Sequence, residues 1–121
     1  MSTARPFLPP GSATIDDFMR LDLRVGRIIA ARAFPEARKP AYRLDIDFGP
    51  GGVRGSSAQL PGTYADPEAL VGRLVVCVVN FPPRRIAGFK SEVLVLGVYD
   101  ADGTVILLRP DRPVAPGHRV G

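Results

Sequence analysis

Residues 42–48 place Tyr42, Leu44, Ile46 and Phe48 at every second position, with Arg43, Asp45 and Asp47 between them. A period of two puts the four apolar side chains on one face of a β-strand and the charges on the other. This stretch therefore requires a sheet with one face buried and one in water. Gly49-Pro50-Gly51-Gly52 turns the chain directly afterwards, because glycine supplies left-handed backbone and proline a fixed φ.

Other strand-length runs flank it. Leu21, Leu23 and Val25 alternate with Asp22, Arg24 and Gly26, and the following Ile28-Ile29-Ala30-Ala31 blurs that parity. The pattern predicts a long strand with a bulge or coil near Gly26, a device that lets one strand serve both sides of a small barrel. Residues 53–60 read as a third strand whose polar face includes Ser57 and Gln59. Asp66-Pro67-Glu68 caps a short helix that Gly72 stops. A fourth strand, 73–80, has almost no polar alternation and needs cover on both faces. A fifth spans about 91–99, and Ala101-Asp102-Gly103-Thr104 turns into a sixth at 105–108.

Residues 1–13, with Pro6, Pro9, Pro10 and Gly11, read as an irregular leader. Thr14 with Asp17 three residues on predicts the N-cap of a short helix near 15–20, with Phe18 and Ile15 as its apolar contacts. The tail, carrying Pro110, Pro113, Pro116 and Gly117, reads as extended and irregular. Three strands, a helix and two strands is the order of the OB-fold, an all-β five-stranded Greek-key barrel. The expectation is one such domain over 14–121, with short helices and terminal extensions whose surplus apolar faces meet in a dimer interface.

At 121 residues and a mean hydropathy of +0.08, the chain is a single folded domain. Cys77 is the only cysteine and lies in the most apolar strand, which predicts a buried, inert thiol. His118 is the only histidine, without partners for a metal site, and Ser56 and Ser57 lack a histidine base. Gly49-Pro50-Gly51-Gly52 lacks the lysine and helix of a phosphate loop. No enzyme activity, metal or cofactor is therefore expected. No apolar run approaches the ~20 residues of a membrane helix, and Met1-Ser2-Thr3-Ala4-Arg5-Pro6 lacks a signal-peptide core. A cytoplasmic protein without a membrane partner is expected. The net charge of +4 favours anionic partners.

Residues 80–91, Asn80-Phe81-Pro82-Pro83-Arg84-Arg85-Ile86-Ala87-Gly88-Phe89-Lys90-Ser91, connect two apolar strands. Pro82 and Pro83 stiffen the connection and remove two backbone donors. Arg84, Arg85 and Lys90 supply charge, and Phe81 and Phe89 supply apolar or stacking area. Cations and aromatics on a rigid loop suit an anionic, stacking or extended ligand, with Ser57, Gln59, Asn80 and Ser91 as hydrogen-bonding groups. The competing reading is a stiff solvated hairpin with its phenylalanines packed inward.

Several blocks resemble the tRNA-binding domain family, OB-fold modules found free-standing or appended to methionyl and phenylalanyl tRNA synthetases. They are Ile15-Asp16-Asp17-Phe18, Leu21-Asp22-Leu23-Arg24-Val25-Gly26, Phe34-Pro35-Glu36-Ala37-Arg38, Ser56-Ser57-Ala58-Gln59, Pro110-Asp111-Arg112-Pro113-Val114 and, above all, 78–97. The last block is similar to the family's small, free-standing, export-related chaperones. That resemblance implies an ATP-independent homodimer accepting unfolded or extended polypeptides, including preproteins. The tRNA-binding members imply the alternative, a structure-selective tRNA-binding module using the same surface. Asn80 and Ser91 match two residues of their pattern, whereas Val93-Leu94 stands where they carry glycine-methionine.

Overall fold

The computed structural model describes residues 5–121. Residues 5–13 carry no regular element, and the first four positions of the leader lie outside the described residues. Helix α1 (Ile15–Met19) begins at a reciprocal capping box: Thr14 Oγ1 accepts from the Asp17 N–H, and the Asp17 carboxylate accepts from the Thr14 N–H at 2.9 Å. None of its residues is buried; Ile15 is 71% exposed and Met19 46%.

The barrel is organised around strand β1 (Leu23–Ala33). Its first half pairs antiparallel with β4 (Leu74–Val78) and its second half with β2 (Tyr42–Asp47), which continues to β3 (Val53–Ala58). The change of partner passes through a bulge between Ile28 and Ala30 that leaves Ile28 fully buried and Ile29 exposed. The bulge thus falls three residues beyond Gly26. Gly26 instead marks a close approach: a Cβ there would lie 2.5 Å from Ile46 Cγ2 and 2.7 Å from Phe48 Cε1.

Tyr42, Leu44, Ile46 and Phe48 all point into the core, as their alternation requires. They meet Ile28, Leu60, Val75 and Cys77, and Leu70 closes the layer from a 3-10 turn (Pro67–Leu70) capped by Asp66. Burial of each large aliphatic side chain contributes about 1.5–3 kcal/mol. Burial also pushes the Cys77 thiol up to about 12, which leaves it protonated and inert.

The fifth barrel strand is broken. Its pieces are β7 (Leu94–Val95), paired with β4, and β8 (Gly97–Tyr99), which forms a hairpin with β9 (Val105–Leu107). Backbone and side-chain hydrogen bonds together complete the closure against β3. The Glu92 N–H donates to Gly55 O at 2.8 Å, the Gly55 N–H to the Glu92 carboxylate, and the buried Ser56 hydroxyl to Val93 O at 2.8 Å. The result is a nearly closed antiparallel OB-type barrel. The tail differs from the irregular segment expected, because β10 (Arg119–Val120) pairs with Leu23 and Arg24 on the free edge of β1.

Candidate ligand-binding cleft

Residues 84–91 form a β-hairpin of their own, β5 (Arg84–Ile86) and β6 (Phe89–Ser91). Pro82 and Pro83 stay outside the ladder, and pairing starts immediately after them. Ala87 and Gly88 form the two-residue turn with φ of 48° and 83°, the doubly left-handed geometry that matches strand twist. Ala87 is the only non-glycine residue with positive φ among the described residues.

The register divides the hairpin's side chains. Arg84 lies opposite Ser91, Ile86 opposite Phe89, and Arg85 opposite Lys90. Alternation therefore sends Arg84, Ile86, Phe89 and Ser91 to the barrel side and Arg85 and Lys90 to the solvent side. Phe89 anchors the barrel side. Its ring meets the Phe34 ring edge-on at 5.6 Å and 77°, lies under the Arg43 guanidinium at 4.4 Å, and fills the space where a Gly55 Cβ would stand. Ser91 Oγ accepts from the Ser57 N–H at 3.1 Å, pinning the hairpin to β3.

Beside this anchor, a cleft of ≈ 520 Å³ opens between the hairpin and the loop joining β1 to β2. Arg38 and Lys39 of that loop and Arg84 of the hairpin supply its cations. Its apolar lining includes Leu60, Ile86, Leu94 and Val95, of which Leu94 is 48% exposed. Ser57 and Gln59 add polar groups from β3 and its end. An apolar lining with cations around it can hold an extended chain by its side chains and retain any acidic group it carries.

Of the nine residues singled out from sequence, Ser57, Gln59 and Arg84 thus share one cleft. Arg85 and Lys90 occupy the opposite face of the hairpin, and Phe89 is engaged in packing. Phe81 is 43% exposed at the other end of the connection, where Asn80 ties the chain to the link between α1 and β1. Asn80 Oδ1 accepts from the Asp22 N–H and Nδ2 donates to Arg20 O, both at 2.9 Å. Asn80→Ala removes both bonds and is expected to lower stability by about 1–2 kcal/mol, read as a Tm decrease of roughly 4–8 °C. An unchanged Tm with lost ligand affinity would instead make Asn80 a ligand contact. The cleft residues Arg38, Lys39 and Leu94 escaped the sequence reading because they come from distant segments. The motif Phe34-Pro35-Glu36-Ala37-Arg38 was the available signal.

The described residues bring together no group of three His, Cys, Asp or Glu side chains suited to a metal. No helix is long and apolar enough to cross a membrane.

The family model described as "Putative tRNA binding domain" matches residues 23–119. Among solved structures, the chaperone CsaA of Bacillus anthracis is 50% identical with a TM-score of 0.86, covering 92% of this chain and all of that one. The CsaA chaperone protein of Picrophilus torridus is 46% identical with a TM-score of 0.83, over 90% of this chain and 99% of that one. Methionine–tRNA ligase of Porphyromonas gingivalis is 41% identical over 105 residues, 87% of this chain and 15% of the ligase. The chain spans about 15% of the length of the curated relatives it matches.

Proposed function

The chain belongs to the tRNA-binding domain family, and from that premise we propose that it is a non-catalytic, ATP-independent chaperone that holds unfolded or extended polypeptides, export-bound preproteins among them, in the cytoplasm. The observation that carries this reading is the cleft, with exposed Leu94 in its lining and Arg38, Lys39 and Arg84 around it. Its apolar area gives sequence-tolerant grip at about 25 cal/mol per Å², and its cations add contacts that salt weakens. The likeness to two CsaA chaperones over nine-tenths of the chain supports it. The exposed apolar side chains of α1, with Phe81 beyond Asn80, give a homodimer a surface to bury.

The second reading, a tRNA-binding module, is supported by the family description and by the solvent-side pair Arg85 and Lys90. A base stacking on Phe89 would compete with the Arg43 guanidinium that lies over its ring and with the Phe34 contact. Titration with a labelled unfolded polypeptide and with labelled tRNA, at low and near-physiological salt, separates the two. Polypeptide binding is expected to persist as salt rises while tRNA affinity falls steeply, since each neutralised phosphate adds about −0.9 to the salt slope for duplex nucleic acid. Tight tRNA binding at physiological salt that displaces the polypeptide would overturn the chaperone reading.

A further inference from the structure

Two arginines face each other across the outer surface of the barrel. Arg32 on β1 and Arg43 on β2 are direct cross-strand partners, so their side chains leave the same face of the sheet close together, an arrangement unfavourable for like charges. Neither is neutralised by an acid: the one ion pair within 4.0 Å among the described residues joins Arg24 to Asp22. Asp45, two positions along β2 on the same face, stays beyond that reach of both.

Arg43 is also held in place. Its guanidinium carbon lies 4.4 Å from the Phe89 ring centroid and 5.6 Å from that of Phe34. Its Nε is sealed from solvent with no hydrogen-bond partner. Its terminal nitrogens, which are not sealed, make no hydrogen bond among the described residues. On the other side of Arg43, Ser57 is its cross-strand partner on β3. The Ser57 backbone N–H is committed to Ser91 Oγ, while its hydroxyl is unused among the described residues.

We propose that Arg32, Arg43 and Ser57 form a seat for a phosphate monoester group, adjoining the cleft through Ser57 but distinct from it. A monoester carries a charge of about −1.5 to −2 at neutral pH, which matches two guanidinium groups; a carboxylate or a phosphodiester, with a single charge, leaves one of them unneutralised. The terminal nitrogens of Arg43 present a planar fork to the oxygens, the Ser57 hydroxyl donates one further bond, and Arg32 closes the seat from β1. Bracing by Phe34 and Phe89 removes much of the side-chain freedom that binding would otherwise cost. The seat does not depend on what the cleft holds.

The test is NMR of the arginine Nε–H groups in the full chain, titrated at constant ionic strength with phenyl phosphate, inorganic phosphate, dimethyl phosphate and acetate. Phenyl phosphate is expected to shift the Arg43 resonance saturably, with dimethyl phosphate and acetate weaker by about tenfold or more. Inorganic phosphate binding as well as phenyl phosphate would show that the phosphate group alone is recognised, and weaker inorganic phosphate would show that the organic part reaches the neighbouring cleft. Arg32→Gln, on an exposed side chain, is expected to weaken phenyl phosphate by about tenfold with Tm unchanged. Arg43→Lys, which keeps the charge and loses the fork, is expected to weaken phenyl phosphate by a similar factor, read from the Arg32 resonance, even if it loosens the hairpin. The proposal is overturned if Arg43 does not respond, if the diester or acetate binds as tightly as the monoester, or if Arg32→Gln leaves the affinity intact.

Discussion

Arg84→Glu is expected to lower the affinity of the cleft for an unfolded polypeptide bearing acidic residues by about tenfold at low salt, a loss of roughly 1.4 kcal/mol, whereas Arg85→Glu changes it by about twofold or less. The two arginines are neighbours in sequence with the same formal charge and similar exposure. They differ in the face of β5 they occupy: Arg84 lines the cleft with Ile86, and Arg85 sits with Lys90 on the solvent side. Charge reversal at Arg84 places a carboxylate next to the bound chain, where like charges repel at contact distance. At Arg85 the hairpin lies between the new charge and the ligand. Raising ionic strength should shrink the Arg84 effect, because the side chain is exposed and screening shortens its reach. Equal losses for the two variants would sink the assignment of the cleft as the polypeptide site. A larger loss at Arg85, seen only with tRNA, would support the second reading through the solvent-side pair.

Gly117→Ala carries the largest expected cost in stability, about 2–4 kcal/mol, or a Tm decrease of roughly 8–16 °C. Gly117 has φ of +98°, and a Cβ there would stand 2.5 Å from the backbone oxygen of Phe48. Backbone cannot swing aside as a flexible side chain can, so the tail itself must move. The Gly117 N–H donates to Val25 O at 2.7 Å and the Val25 N–H to His118 O at 2.9 Å, so displacing Gly117 also strips β10 from the edge of β1. Gly72→Ala is the control: its φ is +94° but nothing lies within 4 Å of the added Cβ. It is expected to cost only the left-handed strain, about 1–2 kcal/mol. Thermal denaturation of the two variants side by side isolates the close approach. Equal Tm decreases would show that the tail is not pinned at Phe48.

Strand β2 was readable because every determinant of it is local. Four apolar residues at period two, followed by a glycine-proline turn, admit one orientation toward one core. The bulge in β1 was readable in kind and misplaced in position. Gly26 looked like the flexible point, yet its lack of a side chain serves Ile46 and Phe48 packing over it, a contact between different strands. The extra residue is Ile29, which has no turn chemistry of its own to announce it. The hairpin was readable only as the competing alternative, for a related reason. The Ala87-Gly88 turn lacks the asparagine or aspartate that usually marks this geometry, and the two prolines argued against a ladder that begins one residue later. The strand in the tail depends on β1 leaving an edge free, which no property of the tail itself reveals.

For the candidate site, sequence alone determined the chemistry available: cations, phenylalanines and small polar groups concentrated on a stiff connection, with no histidine or cysteine pair for catalysis or metal binding. Those are properties of composition and short-range spacing, and they survive any arrangement of the chain. Tertiary structure decided how that chemistry is shared out. Hairpin register sends Arg84 to the cleft and Arg85 to solvent. The packing of Phe89 on Gly55 and Phe34 makes an anchor of a residue that looked like a stacking contact. Strand pairing sets Arg32 opposite Arg43. Each of these is a contact between segments far apart in the chain, set by the closure of the barrel and by which edges that closure leaves free.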